Sequence, residues 1–415
     1  MTEQPSGDTF EFSADELMAI DLPPMASARM HRLPPYLFGR INSLKYQLRQ
    51  QGVDIIDLGM GNPNDATPAP VVAKLAEAAA LKRNQRYSVS QGVYNLRQHM
   101  ADFYQRHFDV HLDAATEIIA TLGSKEGFSH LCLATLGPGD TVLTPTPAFP
   151  IHIYAPVIAG ANVIGVSMRD GEEALLRRID DMCRTVSPRP KIVILNYPHN
   201  PTSATVELPF FEEVVKLARK HSFYIIQDFA YGLTTFDGYR APSLLQAAGA
   251  KDVGVETFTM SKGFNMAGWR VGFVVGNPDM IKLLGAIKGY YDYGIFQAIQ
   301  IATVIALREC EAEMKAQAAI YAARRDCLID GLVRSGWEVD PCRATMFAWV
   351  KIPGPYAQLG SIEFAMQCLK KAEVALAPGR GFGEDGEGYL RIALVENEER
   401  LRQAIRQMRK AFPVQ

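Results

Sequence analysis

The chain alternates short runs of apolar, often β-branched residues with longer segments whose apolar residues recur at helical spacing. The strand-like runs are Glu117–Thr121, Thr141–Thr144, Asn162–Val166, Lys191–Asn196, Phe223–Asp228, Val255–Met260 and Val271–Val275. Helical patterns lie between them, as in Val93–Phe108, in Leu208–His221 and after Ser124. Several runs are almost wholly apolar, which is typical of strands covered by helices on both faces. The pattern predicts an α/β fold with a mainly parallel central sheet flanked by helices.

The pattern changes after about residue 277. A long helical region from Pro278 to about Leu332 leads to a hairpin-like pair of runs, Trp337–Val339 and Met346–Lys351. There follow a helix from Ser361, a glycine-rich loop at Gly379–Gly388, a strand at Leu390–Leu394 and a closing helix with Asn397 as N-cap. We therefore expect a polar N-terminal tail or arm at residues 1–28, with one short apolar patch at Leu17–Ile20. A large domain at 66–299 and a smaller α+β domain made of 29–65 and 300–415 complete the predicted division.

Composition narrows the class of protein. The 415 residues are 48% hydrophobic and carry a net charge of −2, which argues against a general nucleic-acid or membrane-surface binder. No apolar run approaches the roughly 18 residues of a membrane span. The six cysteines are scattered and form no C-x-x-C pair, which is typical of free thiols in a reducing compartment. We expect a cytoplasmic protein.

Two ionisable residues end apolar strands, where ligands bind in open α/β sheets. Asp228 closes the run Phe223–Asp228, and a carboxylate buried there needs a cation such as a protonated ring nitrogen. A helix N-cap is the plain alternative for this residue. Lys262 follows the run Val255–Met260, and a lysine in a cleft near other cations becomes a nucleophilic amine. Its plain alternative is a surface lysine.

Three further stretches carry polar groups to the same edge of the predicted sheet. The turn Thr121–Gly127 joins a strand to a helix N-terminus, which favours an anion. Arg270, with the hydroxyl of Thr259 or Ser261, could complete a phosphate clamp. Lys125 is the rival of Lys262 as the nucleophilic lysine, although its place in the first helical turn suits phosphate contact better. The segment Asn196–Thr202 presents Asn200 between prolines, Tyr231 follows Asp228 by three residues, and Phe149 stands in a proline-bounded loop where it could stack on a planar ligand.

Taken together, these motifs resemble the class I/II aminotransferases, pyridoxal-phosphate enzymes of fold type I. The resemblance rests on Gly-Ser-Lys-Glu-Gly at 123–127, Asn-Pro-Thr at 200–202, Asp-x-x-Tyr at 228–231, Ser-Lys-x-x-x-Met-x-Gly-x-Arg at 261–270 and a late arginine, Arg391. It runs in order from about Leu33 to the final helix. Within the family, residues 32–36, 57–63, 150–154 and 292–294 are most similar to bacterial alanine aminotransferases (glutamate–pyruvate transaminases).

The resemblance implies a role for each matching residue. Lys262 would carry pyridoxal phosphate covalently and Asp228 would pair with its ring nitrogen, while Asn200 and Tyr231 would hold the ring oxygen. The remaining implied cofactor ligands are Ser124, Lys125, Thr259, Ser261 and Arg270 at the phosphate and Phe149 on the ring face. Arg391, helped by Gly61 and Asn200, would bind the substrate α-carboxylate. Tyr87 would reach the phosphate of a neighbouring subunit, which implies a homodimer with shared sites. No metal site is expected, because His107 and His111 straddle a helix end.

Several alternatives stay open. The same cofactor apparatus serves lyases, racemases and decarboxylases, since surrounding groups decide which bond breaks. A non-catalytic ligand-binding module is a further alternative, although a tail of about 28 residues is too short for a DNA-binding domain. Alanine or glutamate is the expected donor, with pyruvate or 2-oxoglutarate as acceptor. A dicarboxylate needs a second cation, for which Arg29, Arg32 and Arg40 are the candidates.

Overall fold

A computed structural model gives the fold for residues 21–340 and 342–414. Most of the predicted tail, including the patch Leu17–Ile20, lies outside the described residues. The strands, in chain order, are β1 (Ile56–Asp57), β2 (Ile118–Thr121), β3 (Thr141–Thr146), β4 (Asn162–Ser167), β5 (Pro190–Leu195), β6 (Tyr224–Asp228), β7 (Gly254–Thr259), β8 (Gly272–Gly276), β9 (Phe347–Lys351), β10 (Val374–Ala375), β11 (Ala377–Pro378) and β12 (Tyr389–Ala393).

Helices surround these strands. In the first two-thirds of the chain they are Leu37–Gln50, Ala69–Ala80, Tyr94–Phe108, Ser124–Thr135, Pro150–Ala159, Glu172–Thr185, Leu208–His221, Ala250–Val253 and Pro278–Tyr291. Further on they are Gln297–Glu309, Glu311–Val333, Gly360–Ala372 and Glu398–Ala411. Asn397 caps the last of these as predicted, because its side chain accepts a hydrogen bond from the Arg400 backbone N–H at 2.9 Å.

The large lobe is built on a seven-stranded sheet with the order β2-β8-β7-β6-β5-β3-β4. Neighbouring strands from β7 to β4 run parallel, while β8 runs antiparallel to both β7 and β2. Every residue of β2, β7 and β8 is buried, which agrees with helices on both faces. The predicted fold class, a mainly parallel sheet flanked by helices, is confirmed.

The smaller lobe combines an antiparallel sheet with three helices. Its sheet has the order β11-β12-β9, and β1 from the N-terminal part pairs in parallel with β10. Side chains of Glu311–Val333, Gly360–Ala372 and Glu398–Ala411 share one apolar core with β9 and β12. The pairing of β1 with β10 attaches the segment before residue 60 to the C-terminal third.

The structure differs from the predicted elements in two places. The helical region from Pro278 is interrupted after Tyr291, where the Asp292 side chain accepts the N–H of Gly294 at 2.7 Å and Gly294 takes a left-handed φ of 81°. Such a turn cannot continue a helix, so the predicted helical region is divided there. The predicted hairpin reduces to one bridge, Val339 to Val350, because β9 makes its full ladder with β12 instead.

Across residues 21–340 and 342–414, none of the helices is both long and apolar enough to cross a membrane.

Candidate active site

The polar side chains predicted from the strand ends meet at one edge of the large sheet. Strands β2 to β7 share their carboxyl edge, and the antiparallel strand β8 begins at that same edge, directly after Arg270. Asp228 ends β6, Thr259 ends β7, and the turn 122–124 follows β2. This arrangement explains why residues far apart in sequence line one cleft between the two lobes.

One cavity of about 890 Å³ is lined by every predicted site residue except Tyr87. These residues are Gly61, Ser124, Lys125, Phe149, Asn200, Asp228, Tyr231, Thr259, Ser261, Lys262, Arg270 and Arg391. Tyr87 lies outside it, with its side chain 84% exposed and its ring against Tyr293 at a centroid distance of 4.7 Å. A single chain therefore does not bring Tyr87 to the cavity.

The Asp228 carboxylate is buried and held on both oxygens. Its Oδ2 lies 2.9 Å from His152 Nε2, and its Oδ1 accepts the Thr257 hydroxyl at 3.0 Å. Its backbone carbonyl accepts the Asn196 side-chain amide at 2.7 Å. These contacts fix the orientation of the carboxylate, which faces the cavity and can pair with a cationic group of a ligand.

Lys262 is the buried amine of the site. Its Nζ donates to the Gly61 carbonyl at 2.7 Å. Burial lowers the pKa of Lys262 to about 7, and the nearby Arg391 and Arg270 act in the same direction, against the opposing effect of Asp228. Near neutral pH a large fraction of this amine is therefore uncharged, as a nucleophile and proton acceptor requires.

A cradle for an anion lies between the turn after β2 and the residues before β8. The Ser124 N–H stands in the first turn of its helix, Thr259 donates to the Ser261 hydroxyl at 2.9 Å, and the Arg270 guanidinium donates to the Ala267 carbonyl at 2.9 Å. A Cβ on Gly123 would lie 2.4 Å from Arg270 Nη2, so the turn can approach the guanidinium only because it carries glycine. Backbone donors, hydroxyls and a guanidinium together suit a phosphate ester.

Asn200 and Tyr231 stand beside each other next to Arg391. The Asn200 N–H donates to the Asn196 side chain at 2.9 Å, which holds this loop in place. Burial raises the pKa of the Tyr231 hydroxyl, although Arg391 and the hydrogen bond with Asn200 act in the opposite direction. The hydroxyl therefore stays protonated and can donate to an anionic oxygen.

Arg391, on β12, brings the small lobe to the site. Its guanidinium donates to Asn200 Oδ1 at 2.9 Å and to the Gly59 carbonyl at 3.0 Å, and it lies 4.1 Å from the centroid of the Phe347 ring. Burial lowers the pKa of Arg391 to about 10, which leaves it cationic at neutral pH. Its Nε is buried with no partner in the described part of the chain. A buried cation without a carboxylate partner is a receptor for a carboxylate ligand.

Lys125 and Phe149 lie together on the wall of the cavity. The Lys125 ammonium stands 6.0 Å from the centroid of the Phe149 ring and, within the described residues, makes no hydrogen bond or ion pair. Burial, and after it Arg270, lowers the pKa of Lys125. Both lysines thus face the cavity, but Lys262 is the one whose amine is buried.

Pyridoxal phosphate, the cofactor that the sequence resemblance implies, suits this donor set. The cavity gathers the cationic side chains of Lys125, Arg270 and Arg391 and the amine of Lys262 around the buried carboxylate of Asp228. An anionic ligand with a phosphate, an anionic ring oxygen and a basic ring nitrogen would satisfy the cradle, the Asn200–Tyr231 pair and the carboxylate in turn.

Sequence reasoning did not assign His152, Thr257 or Asn196, which orient Asp228. The signal for His152 in the sequence was its place three residues after Phe149. The structure places this histidine, buried, on a short helix. None of the three arginines considered for a second carboxylate lines the cavity, and Arg32 instead donates to the carbonyls of Gly160 and Ala161.

One other group of side chains, Glu126, His130 and Asp292, has the spacing of metal ligands. The Lys288 ammonium, however, lies 3.0 Å from both carboxylates and already balances their charge. This arrangement favours a salt-bridge network next to the turn after β2.

Comparison with known proteins agrees with this site. The family "Aminotransferase class I and II" matches residues 53–408. The chain is 46% identical over 395 residues to the glutamate-pyruvate aminotransferase AlaC of Escherichia coli (strain K12), covering 95% of this chain and 96% of that protein. It is 41% identical to the LL-diaminopimelate aminotransferase of Moorella thermoacetica, covering 92% and 97%. The substrate-bound structure of BacF from Bacillus subtilis superposes with a TM-score of 0.86 at 29% identity, covering 93% and 97%.

Proposed function

We propose, on the premise that the chain belongs to the class I and II aminotransferases and works with pyridoxal phosphate, that it exchanges amino groups between L-alanine or L-glutamate and the 2-oxo acids pyruvate and 2-oxoglutarate. Transfer of an amino group between an amino acid and a 2-oxo acid is the activity of the family. The observation that carries the narrower proposal is the 46% identity to a glutamate-pyruvate aminotransferase along nearly the whole chain.

In this proposal each lining residue has one task. Lys262 binds the cofactor covalently, and the Ser124 N–H, Lys125, Thr259, Ser261 and Arg270 hold its phosphate. Phe149 covers one face of the ring, Asn200 and Tyr231 donate to the ring oxygen, and Asp228 keeps the ring nitrogen protonated. When bound, the cofactor supplies a ring that stores the electrons released at the substrate Cα.

The substrate-handling steps then fall to Lys262 and Arg391. Arg391 binds the α-carboxylate through its guanidinium, with Asn200 and the Gly61 backbone beside it, and so orients the Cα–H bond. The Lys262 amine, uncharged in large part near pH 7, takes the proton from Cα and returns it during the exchange. Because donor and acceptor use the same site in succession, we expect ping-pong kinetics.

A second candidate substrate is LL-diaminopimelate, and one cavity residue bears on the choice. Glu396 lines the cavity without making a hydrogen bond in the described part of the chain, and could receive a distal ammonium. We favour alanine and glutamate because the higher identity is to the glutamate-pyruvate enzyme.

A panel of amino acids tests this choice. We expect half-reactions with L-alanine and L-glutamate to be at least about tenfold faster than with LL-diaminopimelate, aromatic or sulfur-containing donors, in line with the higher identity to the glutamate-pyruvate enzyme. The change in cofactor absorption in single-turnover experiments gives each rate. An LL-diaminopimelate rate above that of alanine would move the protein to the second candidate, while fast aromatic donors with alanine inert would refute both.

We further propose a homodimer with shared active sites. The exposed Tyr87 lies against the ring of Tyr293, which is also exposed, and Tyr290 and Tyr291, shortly before Tyr293 in the chain, are exposed too. A cluster of exposed aromatic side chains marks a protein interface. A two-fold dimer would place Tyr87 of one chain at the phosphate of its neighbour, and both sites would be completed by one repeated contact.

Complementation tests the shared site. When Lys262→Ala and Tyr87→Ala chains are co-expressed in equal amounts, half of the dimers are mixed and each rebuilds one intact site. Activity should then return to about a quarter of the unaltered level if Tyr87→Ala alone is inactive. Sedimentation provides the control for assembly, and a fully active monomer contradicts the shared site.

For the location of the enzyme, the six free thiols support a reducing compartment, and we propose the cytoplasm.

A further inference from the structure

One loop touches both the amine and the arginine of the site. The Gly59 carbonyl accepts Arg391 Nη2 at 3.0 Å, and the Gly61 carbonyl accepts Lys262 Nζ at 2.7 Å. There is no room for a side chain at position 61, since a Cβ there would lie 2.5 Å from the Phe347 ring. The placement of this loop therefore sets where Lys262 and Arg391 stand relative to each other.

Charged residues hold the loop at both ends. Before it, Asp57 accepts the Lys45 ammonium at 2.6 Å and the Gly59 N–H at 3.2 Å. After it, Asp65 accepts both Nη atoms of Arg324 at 2.8 Å, and the Gln317 amide donates to Asp65 Oδ2 at 2.9 Å. The glycine carbonyls thus lie between two fixed carboxylates.

Two buried side chains of the helix Glu311–Val333 form the anchor at Asp65. Gln317 and Arg324 are both buried and stand seven residues apart, on the same face of the helix Glu311–Val333. Burial raises the pKa of Asp65, but the hydrogen bonds from Arg324 and Gln317 outweigh it and leave the pKa lowered overall. Asp65 therefore stays ionised at neutral pH, and its two partners define its position.

Gln317 and Arg324 also make hydrogen bonds with the chain segments that carry Lys262 and Arg391. The Asn265 amide, three residues after Lys262, donates to Gln317 Oε1 at 2.7 Å, and the Thr67 hydroxyl donates to the Asn265 carbonyl at 2.7 Å. Arg324 Nη1 also donates at 3.3 Å to the carbonyl of Leu394, three residues after Arg391. Asn265 adopts a left-handed φ of 51°, which a non-glycine residue keeps only when its surroundings hold it there.

We propose that Asp65, Gln317 and Arg324 are positioning residues of the transamination reaction. They fix the carbonyls of the Gly59–Gly61 loop and thereby hold Lys262 and Arg391 at a constant distance and orientation relative to each other. This inference rests on the function proposed above. Its physical basis is that proximity catalysis depends on small distances, so that a displacement of about 1 Å can cost about 100-fold in rate. The three residues touch neither substrate nor cofactor and act only through the loop and the flanking segments.

The chain supplies a matched control on the same helix. Arg325, next to Arg324, makes its own two-fold contact with Asp237, at 2.5 and 3.0 Å, on another side of the helix. Neither Arg325 nor Asp237 lines the site cavity. Asp65→Asn and Asp237→Asn therefore each remove the charge from a comparable carboxylate–arginine pair, and only the first pair is connected to the loop. Gln317→Leu is a second test variant should Asp65→Asn fail to fold.

Two measurements separate positioning from a general loss of stability. In the cofactor-free protein, pulse acetylation of Lys262 at a series of pH values, read by peptide mass spectrometry, gives the midpoint of its titration, near pH 7 in the unaltered protein. Loosening the loop admits water to the amine, so Asp65→Asn should move this midpoint upward. In the loaded enzyme, Asp65→Asn should raise the KM for the amino acid and lower kcat, with kcat/KM falling by up to about 100-fold.

Asp237→Asn should leave the Lys262 midpoint, KM and kcat unchanged, whatever its effect on the melting temperature. The proposal is overturned if Asp65→Asn, or Gln317→Leu in its place, matches Asp237→Asn in all three quantities. Absence of transamination by the unaltered enzyme would instead refute the proposed function. The Lys262 titration needs neither substrate nor cofactor, so its result distinguishes the two failures.

Discussion

Lys262→Ala is expected to reduce transamination by about 10,000-fold or more while leaving the fold intact. In the proposed function, the substitution removes both the covalent attachment point and the amine that takes the Cα proton. The cavity around it is formed by residues from several strands, so the circular dichroism spectrum and melting temperature should stay close to those of the unaltered protein. Turnover with alanine and 2-oxoglutarate measures the loss.

The rival lysine provides the matched control. Borohydride reduction of the loaded enzyme, followed by peptide mass spectrometry, should find the cofactor on Lys262, whose amine donates to the Gly61 carbonyl. Lys125→Ala should weaken cofactor retention, because it removes a proposed phosphate contact, and should keep the label on Lys262. A label on Lys125, or an active Lys262→Ala enzyme, would overturn the assignment.

Asp228→Ala should raise the barrier to proton transfer by about 3–4 kcal/mol, which corresponds to a fall in kcat of roughly 100- to 1,000-fold. Asp228 is a buried carboxylate of the cavity, and His152 and Thr257 hold it in place. Without it, nothing in the described site would keep the ring nitrogen protonated. Single-turnover rates at saturating alanine measure the change.

Replacement of a second buried carboxylate tests whether the loss of any buried carboxylate would lower the rate. Glu256, on the neighbouring strand β7, is fully buried, accepts the Tyr104 hydroxyl at 2.7 Å and is not among the residues that line the cavity. Glu256→Gln should therefore leave the chemical step unchanged. If Asp228→Ala turned over at nearly the normal rate, or if Glu256→Gln lost as much activity, the ring would have been placed wrongly.

Much of the large lobe was predictable because its signals are local. Each of the seven predicted strands falls on one of the strands β2 to β8, since near-continuous apolar runs mark strands that helices cover. The same regularity predicted that Asp228 and Thr259, which end their strands, would meet at one edge. The antiparallel direction of β8 has no comparable signal, because an apolar run reads the same in either direction.

The small lobe shows where local pattern fails. The run Trp337–Val339 has strand character, yet β9 pairs with β12, about 40 residues later, and only one bridge joins Val339 to β9. Which edge a strand pairs with depends on the whole lobe. The attachment of β1 to β10 is equally non-local.

For the site, the sequence by itself determined which side chains have the chemistry: the amine of Lys262, the carboxylate of Asp228, the guanidinium of Arg391 and the donors of the phosphate cradle. Motif spacing and strand ends carry that information. Only the tertiary structure decided what orients them, namely His152 on Asp228 and the Asp65–Arg324 pair behind the glycine loop. The physical reason is that a side chain's reactivity belongs to its residue type, whereas its burial, its partners and the resulting pKa arise only when distant segments pack together.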